Sequence, residues 1–187
     1  PLIYANLCGA TDELIFDGRS FAVNAEGELI AQLAPFEEDL KVVDPDSEAT
    51  VPDRETKPLV LEEEIYRALV LGVRDFARKN GVDRLFLGLS GGIDSAVVAV
   101  IAAEAVGPDA VTAVAIPGRY TAPRSTQGAR ALAEALEIGF EVVELEPLHA
   151  AAEGVLADLL EGDGGTTAEN VQARLRALIL LAYVNRR

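Results

Sequence analysis

The sequence has no methionine and no tryptophan, one cysteine, one histidine, six phenylalanines and four tyrosines in 187 residues. Because a translated chain begins with methionine, the sequence is expected to be a segment of a longer protein. The lone Cys8 excludes an internal disulfide and suits a reducing, cytoplasmic setting. No apolar run approaches the roughly 20 residues that a membrane span requires, and no signal peptide is evident. Basic residues are also scarce, 16 against 31 acidic, for a formal net charge of −15. That balance argues against a nucleic-acid partner and against an anionic membrane surface. What is present is a chain half of whose residues are apolar, rich in Ala, Val and Leu. It is enough for a sizeable core, with the flavour of parallel strands.

The chain divides by pattern. Residues 1–43 read as short strands: Leu2–Ala5, Leu14–Asp17, then Ser20–Asn24 and Glu28–Leu33 joined through Ala25-Glu26-Gly27, with a further strand expected over 37–43. Residues 44–58 carry three prolines and a run of charges and read as a linker. From Leu59 onward helix and strand alternate. Glu62–Lys79 is an amphipathic helix whose apolar stripe is Ile65, Leu69, Val73 and Phe76, stopped by Asn80-Gly81. Strands are expected at Arg84–Leu89, Ala110–Ile116 and Phe140–Leu145. Helices are expected at Asp94–Val106, Pro123–Leu136, Leu148–Leu160 and, after a Gly162–Gly165 loop, Thr167–Asn185. Strands alternating with helices of this length mean βαβ units, so the fold class is α/β: a parallel sheet with flanking helices.

The sharpest feature is Gly88-Leu89-Ser90-Gly91-Gly92-Ile93-Asp94-Ser95, where an apolar strand runs through two glycines straight into a helix. Gly91 and Gly92 permit backbone dihedrals closed to other residues and let N–H groups approach an anion. The helix start adds unpaired donors and partial positive charge. Ser90 and Ser95 offer hydroxyls. Asp94 would repel phosphate on its own, and makes sense as a ligand to Mg²⁺ bridging the two. The loop lacks the Gly-Lys-Ser/Thr of a Walker A motif and the glycine spacing of a dinucleotide fingerprint. A plain strand-to-helix turn capped by Ser and Asp would use some of the same residues, but the full string is more specific than such a turn needs.

This loop resembles that of the ATP-pyrophosphatase (PP-loop) superfamily, whose members adenylate a substrate with ATP and release pyrophosphate. Two further segments are similar to glutamine-dependent NAD synthetases. Ala115-Ile116-Pro117-Gly118-Arg119-Tyr120-Thr121 resembles that family's Met-Pro-Ser-Arg-Tyr-Ser-Ser, departing from it at Gly118, Thr121 and Ala122. Thr167-Ala168-Glu169-Asn170-Val171-Gln172-Ala173-Arg174-Leu175-Arg176 resembles Thr-Glu-Glu-Asn-Leu-Gln-Ala-Arg-Ile-Arg. Tyr4–Phe21 looks like the last part of a nitrilase-like glutaminase domain, with Cys8 where an aliphatic residue is usual. Cys8 is therefore read as a small apolar residue and not as the glutaminase nucleophile.

The resemblance implies an adenine-nucleotide alpha-hydrolase-like, Rossmann-like fold preceded by a partial nitrilase-like β segment. Its divisions would be 1–43 (glutaminase end), 44–58 (linker) and 59–187 (first part of the synthetase domain). It implies ATP held by Gly88, Leu89, Ser90, Gly91, Gly92, Ile93, Asp94 and Ser95, with Mg²⁺ at Asp94 and deamido-NAD at Asn170 and Arg174. Asn170 and Arg174, four residues apart, share a helix face suited to a carboxylate or phosphate. The implied activity is amidation of deamido-NAD to NAD with glutamine or ammonia as nitrogen source, in a homo-oligomer. The implied completion of the site by residues beyond position 187 leads to the expectation that these 187 residues alone do not make NAD. No general base is evident, and His149 reads as an exposed or capping residue. Competing readings are another PP-loop ligase such as a GMP synthetase, or a nucleotide-binding module without chemistry.

Overall fold

A computed structural model describes residues 1–46, 59–160 and 166–185. Residues 47–58 of the expected linker and the Gly162–Gly165 loop lie outside them. The chain forms two compact units, Pro1–Val82 and Asp83–Arg187.

In the first unit, β1 (Leu2–Tyr4), β4 (Phe21–Val23) and β5 (Leu29–Gln32) make an antiparallel sheet ordered β1-β4-β5. The β4–β5 connection is fixed by Asn24: its side-chain oxygen accepts the Glu28 N–H at 2.8 Å, and its amide donates to the Glu28 carboxylate at 3.0 Å. Ala22, Ile30 and Ala31 are buried in a small core against which Val43 packs. The strand expected over 37–43 is absent; those residues run as bends and coil. Instead β2 (Cys8–Thr11), not foreseen from its small and polar residues, pairs with β3 (Leu14–Asp17) as a second hairpin.

Helix α1 (Leu61–Asn80) packs on that hairpin. Glu62, Glu63 and Glu64 in its first turn and Arg78 and Lys79 in its last oppose the helix dipole favourably. Its end is closed by the Gly81 and Val82 N–H groups, which donate to the Arg78 and Ala77 carbonyls at 3.4 and 2.9 Å. The buried residues are Val70, Leu71, Asp75 and Ala77. The expected apolar stripe is not the buried face: Ile65, Leu69 and Phe76 are 51, 45 and 66% exposed. The hairpin selects the face that carries Gly72 and Asp75, because a close helix–strand approach needs a small residue there and Asp75 has a partner on β2.

The second unit is a parallel sheet in the order β6-β7-β8, with β6 at Leu85–Gly88, β7 at Val111–Ala115 and β8 at Gly139–Val142. Helix α2 (Ile93–Val106) crosses from β6 to β7 and α3 (Pro123–Ala135) from β7 to β8. Leu87, Val111 and Ala113 of the sheet, with Leu89 just after β6, pack with Ala99, Ala102 and Ala103 of α2 and Ala129 and Ala133 of α3. Alanines at these contacts let helices and strands approach closely. After β8 come α4 (Glu146–Val155), the short α5 (Ala157–Leu160) and α6 (Thr166–Val184). A separate cluster of Val114, Ile116 and Leu145 with Leu175, Ile179, Leu180 and Tyr183 seats α6. The helix expected at Leu148–Leu160 thus starts two residues earlier and breaks at Leu156.

Candidate active site

The site is built at the ends of β6 and β7, where an open parallel sheet leaves its strand C-termini facing a crevice. Leu89, 2% exposed, anchors the outgoing strand, and its N–H donates to the Val114 carbonyl at 3.0 Å. The chain then turns through Ser90–Gly92 into α2.

Gly91 sits at φ +83°, and a Cβ there would lie 2.3 Å from the Ser125 carbonyl oxygen. The turn therefore lies backbone against backbone on the start of α3. Gly92, the residue before α2, supplies no side-chain cap. By helix geometry the N–H groups of Ile93, Asp94 and Ser95 have no intrahelical carbonyl, and the helix dipole makes this end attractive to an anion.

The serines hold the turn in shape. The Ser90 N–H donates to Ser95 Oγ at 3.2 Å, the Gly92 N–H donates to Ser90 Oγ at 3.2 Å, and Ser95 Oγ–H donates to the Gly92 carbonyl at 3.0 Å. With the Ser95 proton so used, the 3.0 Å contact between the two hydroxyls has Ser90 as donor. A phosphate would take these hydroxyls by replacing bonds within the loop.

Asp94 is exposed in the first turn of α2. Among the described residues no three His, Cys, Asp or Glu side chains cluster as a metal cage. One carboxylate is too little for a bare divalent cation. It suits a Mg²⁺ that brings phosphates as its other ligands.

Gly88, Leu89 and Ser90 also line a cavity of about 320 Å³, together with Val114, Ile116 and one face of α6 carrying Ala173, Arg176, Ala177 and Leu180. It is mostly apolar with one guanidinium. Arg176 Nε donates to the Ile116 carbonyl at 3.2 Å, which fixes its head at the cavity wall. Gly118 lies beside it, where a Cβ would make only ordinary contacts, 3.4 Å from Leu145 Cδ2 and 3.6 Å from Arg176 Nη2. Asn170 and Arg174 are the residues that the motif implies for deamido-NAD. Both are exposed, Arg174 Nη1 donates to the Asn170 carbonyl at 3.3 Å, and neither lines this cavity. Arg176 stood in the same quoted motif; the missing signal was helical phase, since Arg176 and Leu180 are four apart and Leu180 is anchored in the core.

The segment after β7 is tied down from α4. Arg119 donates to Glu146 through Nε at 3.0 Å and Nη2 at 2.5 Å, and to Glu153 at 2.8 Å. The Glu146 hydrogen bonds, then those to Glu153, hold the guanidinium more firmly protonated than usual. The Arg119 hydrogen bond in turn holds Glu146 below the ordinary carboxylate range. Thr121, where the resembled motif has serine, accepts the Gly118 N–H at 3.0 Å and closes the turn. His149 is not exposed as expected: α4 begins at Glu146, which turns it inward to 3% exposure, 3.7 Å from Glu153. Cys8 is half-buried, and burial, reinforced by Glu38, Asp75, Asp17 and Glu37, raises its thiol pKa. A raised pKa disfavours the thiolate and so disfavours nucleophilic chemistry.

A family profile described as NAD synthase matches residues 65–187. The chain belongs to the NAD synthase family. A glutamine-dependent NAD(+) synthetase of Rhodobacter capsulatus is 45% identical, over all of this chain and 35% of its own length. A glutamine-dependent NAD+ synthetase of Acinetobacter baumannii, solved in complex with ADP, superposes with a TM-score of 0.90 at 34% identity, over 98% of this chain and 36% of that one. The NMN synthetase of Francisella tularensis matches 66% of this chain and 50% of its own at 31% identity, with a TM-score of 0.56. The chain thus spans about a third of the glutamine-dependent relatives it matches. As a NAD synthase segment it has the α/β parallel sheet with flanking helices that its sequence pattern implied, and no described helix is long and apolar enough to cross a membrane.

Proposed function

We propose that this chain is the part of a glutamine-dependent NAD synthetase that binds ATP and holds the leaving pyrophosphate while deamido-NAD is adenylated. The observation that carries this reading is the Gly91–Asp94 turn, an uncapped helix start opening beside the cavity of Gly88, Leu89, Ser90 and Arg176. The cavity, at about 320 Å³ and mostly apolar, suits a nucleoside. The phosphates would lie along Ser90–Ser95, with Asp94 reaching a Mg²⁺ that neutralises their charge.

The carboxylate of deamido-NAD attacks the α-phosphorus of ATP, and the bond to the pyrophosphate oxygen breaks. Negative charge grows on that oxygen, and donors fixed before the reaction stabilise it at no cost in reorganisation. Ammonia then adds to the acyl-adenylate carbon and releases a proton to solvent, AMP leaves with the bonding electron pair, and NAD results. Asn170 and Arg174 are assigned to deamido-NAD from their motif. Residues 1–43 are assigned to the end of a nitrilase-like domain that supplies ammonia from glutamine, 44–58 to a linker and 59–187 to the synthetase part. A cytoplasmic homo-oligomer completes the reading.

The test is ATP–pyrophosphate exchange by the full-length protein that contains this chain. Exchange that requires deamido-NAD is expected. Exchange supported equally by xanthosine monophosphate, or none with any acceptor, would remove the assignment.

A further inference from the structure

The backbone that leaves β7 is held from two sides. On one side Ile116 lines the cavity, and its carbonyl accepts from Arg176 Nε at 3.2 Å. On the other, the Pro117 carbonyl accepts the Leu145 N–H at 2.9 Å, at the residue just before α4. The next four residues close into a turn. The Thr121 N–H donates to the Gly118 carbonyl at 2.8 Å, and Thr121 Oγ1 accepts the Gly118 N–H at 3.0 Å. Residues 116–122 belong to no strand or helix, so side chains have to fix where this turn sits.

Arg119 at its tip does so. The guanidinium spans Glu146 and Glu153, which stand seven residues apart on one face of α4. Two of its nitrogens meet the Glu146 carboxylate, a planar fork that a lysine cannot reproduce. His149 lies on the same face between the two carboxylates and is 3% exposed, so they stand on a packed base. Leu145, fully buried with Val114 and Ile116, roots the start of α4 beside the cavity wall. An isolated exposed ion pair adds little to stability. Here several bonds converge on one guanidinium, and what they order is a turn with no ladder of its own.

We propose that Arg119 is a positioning residue for the nucleotide: anchored on Glu146 and Glu153, it fixes the Ile116 carbonyl on which Arg176 is held, and so acts on the cavity through Arg176 without touching the ligand. This rests on the function proposed above.

The experiment is isothermal titration of Mg-ATP into the full-length protein at physiological salt. Arg119→Met should weaken the Kd about fivefold, the scale of coupling within one hydrogen-bond network. In the double variant with Arg176→Met, the loss should stay within about twofold of that for Arg176→Met alone, because the anchor then has nothing to position. The paired variant Glu146→Gln with Glu153→Gln leaves the guanidinium in place but releases it, and should weaken binding as Arg119→Met does. Where circular dichroism shows Arg119→Met misfolded, Glu153→Gln carries the same cycle, since it keeps the Glu146 fork. Losses that multiply in the double variant, or no loss on removing the anchor, would overturn the proposal. Tighter binding in the paired glutamine variant would overturn it too, by showing that the freed guanidinium binds the nucleotide itself. A wild-type protein that binds no Mg-ATP would instead defeat the function on which it rests.

Discussion

Replacing Gly91 by alanine tests the phosphate loop most sharply, because the structure sets two costs. A non-glycine residue in the left-handed region costs about 1–2 kcal/mol, and Gly91 is at φ +83°. The new methyl would meet the Ser125 carbonyl oxygen, carbon and Cα at 2.3, 2.9 and 2.9 Å. These are backbone atoms at the start of α3 and cannot swing aside. Overpacking of this kind costs a further ~1–3 kcal/mol. The loop escapes by lifting off α3, which turns its N–H groups away from the anion. About 3 kcal/mol lost from nucleotide binding is roughly a 150-fold weaker Kd.

Gly92→Ala is the internal control. Gly92 is at φ −89°, and its Cβ would meet only the Ser90 hydroxyl, at 3.3 Å. The expected loss there is under about 1 kcal/mol, roughly fivefold. Isothermal titration of Mg-ATP into the two full-length variants measures the difference. Equal affinities for Gly91→Ala and wild type, or equal losses in the two variants, would refute the reasoning.

Four further outcomes are expected. Asp94→Ala should abolish deamido-NAD-dependent pyrophosphate exchange while leaving the circular dichroism spectrum unchanged; retained exchange would remove its role toward Mg²⁺. Arg176→Met should weaken ATP binding by about 1.5–3 kcal/mol, the range for a bond to a charged group, whereas Arg174→Met should spare ATP and raise the KM for deamido-NAD. Leu145→Ala, at a fully buried site under α6, should cost about 2–5 kcal/mol in urea unfolding. Asp75 is held below its ordinary carboxylate value of 3.8, foremost by the Ala10 N–H bond. Its folded pKa being depressed, its contribution is present above pH 3.8 and is lost as pH falls through the folded value. Wild-type stability should therefore drop more steeply than that of Asp75→Asn below about pH 4.

Much of the second unit could be read from residue order because its signals are local. The apolar runs of β6 and β7, Pro123 opening α3 and the glycines before α2 act within a few residues. Elements that depend on distant partners were hidden. Cys8–Thr11 has little strand propensity and becomes β2 only because β3 and Asp75 bond its two edges. The buried face of α1 is not legible in its sequence, since an apolar stripe does not say which face finds a partner, and a carboxylate at Asp75 looks like a solvent residue until the Ala10 N–H is opposite it. Likewise Arg174 and Arg176 are equivalent in sequence. Only the seating of Leu175, Ile179 and Leu180 on Val114 and Leu145 decides that Arg176 reaches the cavity.

A crystal structure of the full-length protein with an ATP analogue and Mg²⁺ is the most direct measurement of the central claim. The β- and γ-phosphate oxygens should lie about 2.7–3.2 Å from backbone nitrogens of the Gly91–Ser95 turn, with the nucleoside against Arg176 and Leu180. A nucleotide bound elsewhere, with that turn still closed by its serine bonds, would contradict the account.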